Sequence, residues 1–220
     1  MKQEIAVLAV SLLAASSAMA NIVTNGSFEN LTGFPLGSGS WGLSSTLFGW
    51  TQNDGDKFEI QLAKNFQTSA TGFYNSFNTS YDGAHYLELN ANRLGVISQT
   101  LTTVADQLYR LSFGYSGRSD SGTGRDSLLD VYWGGVKINP EVIDVSPTSG
   151  WHTFDYVLNA AGSSTELRFV SRGPTSNASY GSYLDGITVS AVPEPATIAL
   201  MLAGLGMIGF TTRRQKQKKN

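Results

Sequence analysis

Between Gln107 and Ser116 the chain alternates so regularly that only an extended strand can accommodate it. Tyr109, Leu111, Phe113 and Tyr115 fall on one face, and Leu108, Arg110, Ser112 and Gly114 fall on the other. Successive side chains of a strand point to opposite sides, so this pattern predicts one buried face and one freer face. The same period of two recurs at Tyr86 to Asn90, Val96 to Leu101, Leu128 to Trp133, Trp151 to Leu158, Glu166 to Ser171 and Tyr183 to Ser190. Gly, Ser, Asn and Asp separate these runs, and no amphipathic stretch is long enough for a substantial helix. Such a rhythm predicts an all-β sandwich. Trp133-Gly134-Gly135-Val136 reads as a tight hairpin, because two glycines accept the positive φ angles of a primed turn.

Two segments depart from the rhythm. Leu31 to Gly49 is a Gly/Ser-rich stretch holding Trp41 and Phe48, and Asn65 to Asp82 places Phe66, Phe73, Tyr74, Phe77 and Tyr81 among polar residues. Long irregular loops in a small domain tend to be functional or disordered, and aromatic content argues against plain disorder. There is no internal repeat and no heptad pattern, so residues 21–192 read as a single domain. The chain has no cysteine, which excludes disulfides and thiolate metal sites.

The two ends belong to neither strand nor loop. Lys2 precedes an apolar stretch from Ile5 to Ala15, followed by Ser16, Ser17 and Ala18-Met19-Ala20, the small-x-small pattern that signal peptidase accepts. Residues 1–20 are therefore expected to be a signal peptide cleaved after Ala20. At the other end, Pro193-Glu194-Pro195 precedes an uncharged run from Ala196 to Phe210, then Arg213, Arg214, Lys216, Lys218 and Lys219. That run is shorter than the roughly twenty residues a standard bilayer requires, but flanking threonines and snorkelling basic side chains can extend it. Positive charge beyond the run favours leaving that side in the cytoplasm and the preceding domain outside.

Residues 193–220 closely resemble the PEP-CTERM sorting signal of Gram-negative bacteria: a Pro-Glu-Pro triplet, a short apolar transmembrane helix and an Arg-rich tail, in that order. The resemblance implies an inner-membrane precursor handled by an exosortase, then a product at the cell surface or outside the cell, in a bacterium that makes exopolysaccharide. Residues 21–192 keep nine basic against fifteen acidic side chains, a formal charge of −6. An acidic domain of that kind is a poor ligand for nucleic acid or anionic lipid.

The start Asn21-Ile22-Val23-Thr24-Asn25-Gly26-Ser27-Phe28-Glu29 and the end Tyr183-Leu184-Asp185-Gly186-Ile187-Thr188-Val189 resemble the first and last strands of galactose-binding-like jelly rolls. These sandwiches occur in carbohydrate-binding modules and DUF642-like proteins. Gly49-Trp50, Phe58-Glu59, Asp82-Gly83-Ala84-His85-Tyr86-Leu87-Glu88-Leu89, Ile97-Ser98-Gln99-Thr100-Leu101 and Tyr109 to Phe113 extend the match. In a jelly roll the first and last strands lie close together, so Glu29 and Asp185, with Asp82 from the turn before Tyr86, can share one structural Ca²⁺. Members of that group often carry calcium there. The competing reading makes these residues surface acids or turn residues.

Sugar binding calls for flat apolar faces beside amide, carboxylate or guanidinium groups. Trp41, Tyr74, Tyr81, Arg118 and Tyr180 are the candidates, against the competing reading that aromatics of a small sandwich are core. Trp50, Trp133, Trp151, Tyr109 and Phe113 occupy positions that favour burial. Arg118 opens a loop that either reaches a ligand at the sandwich edge or stays solvated. Catalysis has little support: no Gly-x-Ser-x-Gly elbow occurs, His85 and His152 lie within strand patterns, and nothing singles out a carboxylate pair. The expectation is an exported, non-enzymatic polysaccharide-binding domain. The alternatives are a structural or adhesion protein of the matrix and a hydrolase of surface glycans.

Overall fold

The computed structural model describes residues 20–36, 41–63, 79–118, 128–140, 143–144, 150–173, 179–193 and 204. Tyr74, Glu194, Pro195, Arg213 and Arg214 lie outside the described residues. All named elements are strands: β1 (Trp41–Ser44), β2 (Thr51–Gln52), β3 (Phe58–Leu62), β4 (His85–Glu88), β5 (Val96–Thr102), β6 (Leu108–Ser116), β7 (Leu128–Trp133), β8 (Val136–Lys137), β9 (Ile143–Asp144), β10 (His152–Asn159), β11 (Ser164–Ser171) and β12 (Tyr183–Ala191). They form a jelly-roll sandwich of two antiparallel sheets. The front sheet runs β1-β3-β4-β12-β6-β10; the back sheet runs β2-β5-β11-β7-β8, with β9 also beside β7.

The alternation read from sequence decides which side chains meet between the sheets. Tyr109, Leu111, Phe113 and Tyr115 of β6 are buried in the core with Phe58 and Ile60 of β3, Leu87 of β4, and Leu184, Ile187 and Val189 of β12. Ile97, Leu101, Leu129, Val131, Trp133, Leu167 and Phe169 face them from the back sheet. Phe113 and Phe169 cross edge to face at 5.2 Å, one of the contacts that lock the sheets together. The predicted hairpin is present, with Trp133 paired to Val136 and positive φ at both Gly134 and Gly135.

Two expectations need correction. Asn21 to Glu29 is not a strand but an extended entry followed by a turn, in which Asn25 and Phe28 take positive φ. It still lies against the last strand: Ile22 N–H donates to Val189 O at 2.8 Å, and Ile187 N–H donates to Gly26 O at 2.9 Å. Space for this approach exists because residue 26 is glycine; a Cβ there would stand 2.0 Å from the Ile187 carbonyl oxygen. The stretch from Leu31 to Gly49 is also not wholly irregular, since β1 forms within it, with Trp41 opposite Gln61 and Leu43 opposite Glu59. An edge strand can draw its order from its partner, so its own sequence need not alternate.

Candidate functional site

The front sheet has a second face, turned away from the core. β3 places Glu59 and Gln61 there, β4 places Tyr86 and Glu88, and β12 places Tyr183. Cross-strand register aligns Leu43, Glu59, Glu88, Tyr183 and Ser116 in one row. Glu59, Gln61, Glu88, Tyr183 and Ser116 are nonetheless buried, because segments from elsewhere cover the face. Arg118, just past β6, and residues 179–182, just before β12, close over it.

The result is a cavity of about 280 Å³ whose walls include Trp41, Glu59, Gln61, Asn92, Arg118 and Tyr180. Three of the five expected sugar-binding residues, Trp41, Arg118 and Tyr180, therefore converge. Arg118 is not the solvated loop residue of the competing reading. Its Nη1 donates to Glu88 Oε1 at 2.5 Å and its guanidinium lies over the Tyr180 ring at 4.6 Å. Gln61 Nε2 bridges the two acids, donating to Glu59 Oε1 at 2.7 Å and Glu88 Oε2 at 3.0 Å, and Gly181 N–H donates to Glu88 Oε1 at 2.8 Å. Polar groups withdrawn from water this far require such partners.

Burial and the neighbouring Glu88 charge push the Glu59 carboxyl up to about 9. Burial raises Glu88 as well, to about 7, against the pull of Arg118. Near neutrality the floor of the cavity thus presents a protonated carboxyl, a primary amide and a guanidinium, a mixed set of donors and acceptors suited to hydroxyl groups. One protonated and one more acidic carboxyl in register suggest an acid–base couple. Glu88, however, is fully buried and both its oxygens hold protein donors, so it cannot reach a glycosidic oxygen.

Tyr81 sits elsewhere on the same face. Its ring lies over Gly114 of β6 and Gly186 of β12, where added Cβ atoms would come within 2.5 and 2.6 Å of it. Its hydroxyl lies 2.8 Å from Thr153 Oγ1, and Trp151 packs beside it at 5.9 Å. The exposed ring is a flat platform about 9–14 Å across the sheet from β3, two to three strand spacings away.

Two of the three expected calcium ligands, Asp185 and Glu29, reach one and the same turn. Asp185 Oδ2 accepts the N–H groups of Tyr81 and Asp82 at 2.9 and 2.8 Å, and its Oδ1 accepts Gly186 N–H at 2.7 Å. Glu29 Oε1 accepts the N–H groups of Ala84 and His85 at 2.6 and 2.7 Å, while its Oε2 lies 2.8 Å from His85 Nδ1. The two carboxyl groups grip the 81–85 turn from two sides. A bulge in β12 between Asp185 and Thr188 aims the Asp185 carboxylate at this turn. Among the described residues no three acidic or histidine side chains gather as a metal-holding group. A fall in melting temperature on adding EDTA that calcium reverses would place a cation on these carboxylates; an unchanged value would leave them bonded to the turn alone.

The residues that sequence reasoning passed over are Glu59, Gln61, Glu88 and Asn92. A polar side chain between apolar neighbours in a strand ordinarily faces solvent, and only the burial of a whole polar row distinguishes Glu59, Gln61 and Glu88, while Asn92 is exposed in the turn beyond β4.

Two family models match separate segments of the chain. The family model for Protein of unknown function (DUF642) matches residues 21–190, and that for the PEP-CTERM protein-sorting motif matches residues 191–215. Among curated proteins, none matches the chain. Among solved structures, CBM35 from Paenibacillus barcinonensis is 20% identical, covering 70% of this chain and 100% of its own, with a TM-score of 0.41. TmCBM61 in complex with beta-1,4-galactotriose is 14% identical, covering 79% of this chain and 99% of its own, at 0.44. The sugar-binding C-terminal domain of EclA is 18% identical, covering 58% and 93%, at 0.41. At these scores the likenesses carry no argument about what the cavity holds.

Proposed function

From the premise that this chain belongs to the DUF642 family and carries a PEP-CTERM protein-sorting motif, we propose that it is an exported, non-enzymatic domain that binds the exopolysaccharide of its own cell through the front-sheet cavity. The motif marks a sorted protein that transits the membrane. In this reading residues 196–210 anchor the precursor, and an exosortase acts near Pro193-Glu194-Pro195.

One observation carries the sugar reading. The cavity sets the half-exposed indole of Trp41 and the ring of Tyr180 against a floor of Glu59, Gln61, Asn92 and Arg118. A pyranose needs both parts: its C–H face stacks on an aromatic ring while its hydroxyls meet fixed donors and acceptors. Below the titration of Glu59 the cavity is close to electrically balanced, with Arg118 against Glu88, so neutral sugar units suit it better than anionic ones. Tyr81 supplies a further platform on the same face for a longer chain.

A glycan array probed with the full chain in detergent is expected to show binding to neutral polysaccharides. Trp41→Ala is expected to weaken it about tenfold, a loss of roughly 1.4 kcal/mol. Trp41 lies at the exposed rim, so the fold should persist in that variant. An array without signal, or equal binding by the variant, would overturn the proposal.

A further inference from the structure

We propose that the end of the sandwich from which both chain termini leave is a lipid-facing surface, seated on the headgroup region of the bilayer while the precursor is tethered. The proposal rests on reading residues 196–210 as the anchor. At the entry, Asn21 Oδ1 accepts Val189 N–H at 2.9 Å, beside the Ile22 bond to the same residue. At the exit, Val192 N–H donates to Leu108 O at 2.8 Å, and Gln107 Nε2 donates to Val192 O at 2.8 Å. Both termini thus meet the sheet near the C-terminal end of β12.

The spacer beyond that point is short. Only Pro193-Glu194-Pro195 separate Val192 from the uncharged run that begins at Ala196. Four peptide units reach at most about 15 Å, so an anchored chain holds this end of the domain against the membrane surface.

The surface at this end suits that position. Val104, Leu108, Val136 and Val157 are 63%, 44%, 68% and 57% exposed, four of the seven large apolar side chains that stand exposed among the described residues. They come from separate elements that meet here. The Val104 turn is bonded to Ala160 through Asp106 N–H, the Gly134–Gly135 hairpin is bonded to Glu166, and Trp133 Nε1 reaches Asn159 O. Two of the nearby cations are paired: Lys137 lies 2.8 Å from Asp130, and Arg110 lies 3.8 Å from Asp155. So small a patch is a weak membrane ligand by itself, but a tether a few residues long supplies a high effective concentration.

The same topology sends the cavity the other way. β12 runs for nine residues from Tyr183, paired with Glu88, to Ala191, paired with Tyr109. At about 3.3 Å per residue its ends are roughly 26 Å apart, so the cavity lies at the end of the strand far from the bilayer while the chain is anchored.

The absence of native cysteine makes the test direct. Nitroxide labels on Val104→Cys, Val136→Cys and Ser179→Cys, each in the full chain reconstituted into phosphatidylcholine vesicles, are compared by collision with oxygen and with a water-soluble nickel complex. Labels at 104 and 136 are expected to show an oxygen-to-nickel ratio several-fold above that of the label at 179. Failure of the chain to float with the vesicles would remove the anchor and this proposal together. A chain that floats while all three labels read equally aqueous would overturn the lipid-facing surface and leave the anchor standing.

Discussion

Arg118→Leu is expected to destabilise the domain by about 3–5 kcal/mol at pH 8 and to abolish ligand binding. Arg118 is the cation paired with Glu88, which is fully buried, and breaking one side of a buried pair leaves the other charge without compensation. The substitution also removes the guanidinium from the Tyr180 ring, which loses its support at the wall of the cavity. The loss should shrink as pH falls. In the parent chain Glu88 is raised to about 7, so by pH 5.5 it is already largely protonated and the pair contributes less. Denaturant unfolding of parent and variant at pH 5.5 and 8 measures both values. A variant equally destabilised at both pH values, or not destabilised at pH 8, would contradict the assignment.

Raising the pH from 5 to 9 is expected to lower the stability of the parent domain substantially. Burial, joined by the Glu88 charge, lifts Glu59 from 4.5 to about 9, and burial lifts Glu88 from the same value to about 7. Asp185 rises from 3.8 to about 8 through burial, although backbone N–H bonds from Asp82, Gly186 and Tyr81 oppose it. For each group the folded state holds its proton more tightly than the unfolded chain does. The stabilisation is complete below the unfolded value near 4, declines as the unfolded chain ionises, and is gone once pH passes the folded value. Within that window each group changes stability by up to about 1.4 kcal/mol per pH unit. Asp56 works in the opposite sense: burial raises it, but bonds from Asn92 and Arg93 outweigh burial and hold it below 3.8, so its contribution fades at strongly acid pH. The melting temperature should therefore peak at mildly acid pH. A loss of even ~2 kcal/mol moves it by roughly 4–8 °C in a domain of this size. A higher melting temperature at pH 8.5 than at pH 5.5 would show that these carboxyls are not held in their protonated form.

Much of the sandwich was legible because strand periodicity is local. The runs at Leu128 to Trp133 and Val96 to Leu101, and the glycine pair at 134–135, carry their own evidence in adjacent residues. β1 was not legible, since its order comes from pairing with β3, and Asn21 to Glu29 proved to be an extended entry and turn held by β12. For the site, Trp41, Arg118 and Tyr180 could be nominated by chemical type alone, but type cannot say that Tyr81 stands on a separate platform. For the Glu29, Asp82 and Asp185 set, sequence is silent on surroundings in a related way. A carboxylate's type is visible in sequence, while the backbone N–H groups that claim its lone pairs depend on a distant turn.

The residues in their linear order determined what neighbouring positions can determine: extended strands of period two, a two-glycine turn, a chain without cysteine, and terminal segments whose composition suits a membrane rather than a core. Tertiary structure alone decided that Trp41, Glu59, Glu88, Arg118 and Tyr180 enclose one cavity, and that both termini leave from the end opposite to it. The reason is that strand order within a sheet joins residues far apart in the chain, as when Gly181 donates to Glu88 and Ile22 donates to Val189. Contacts of that range leave no periodic trace in the residues between them.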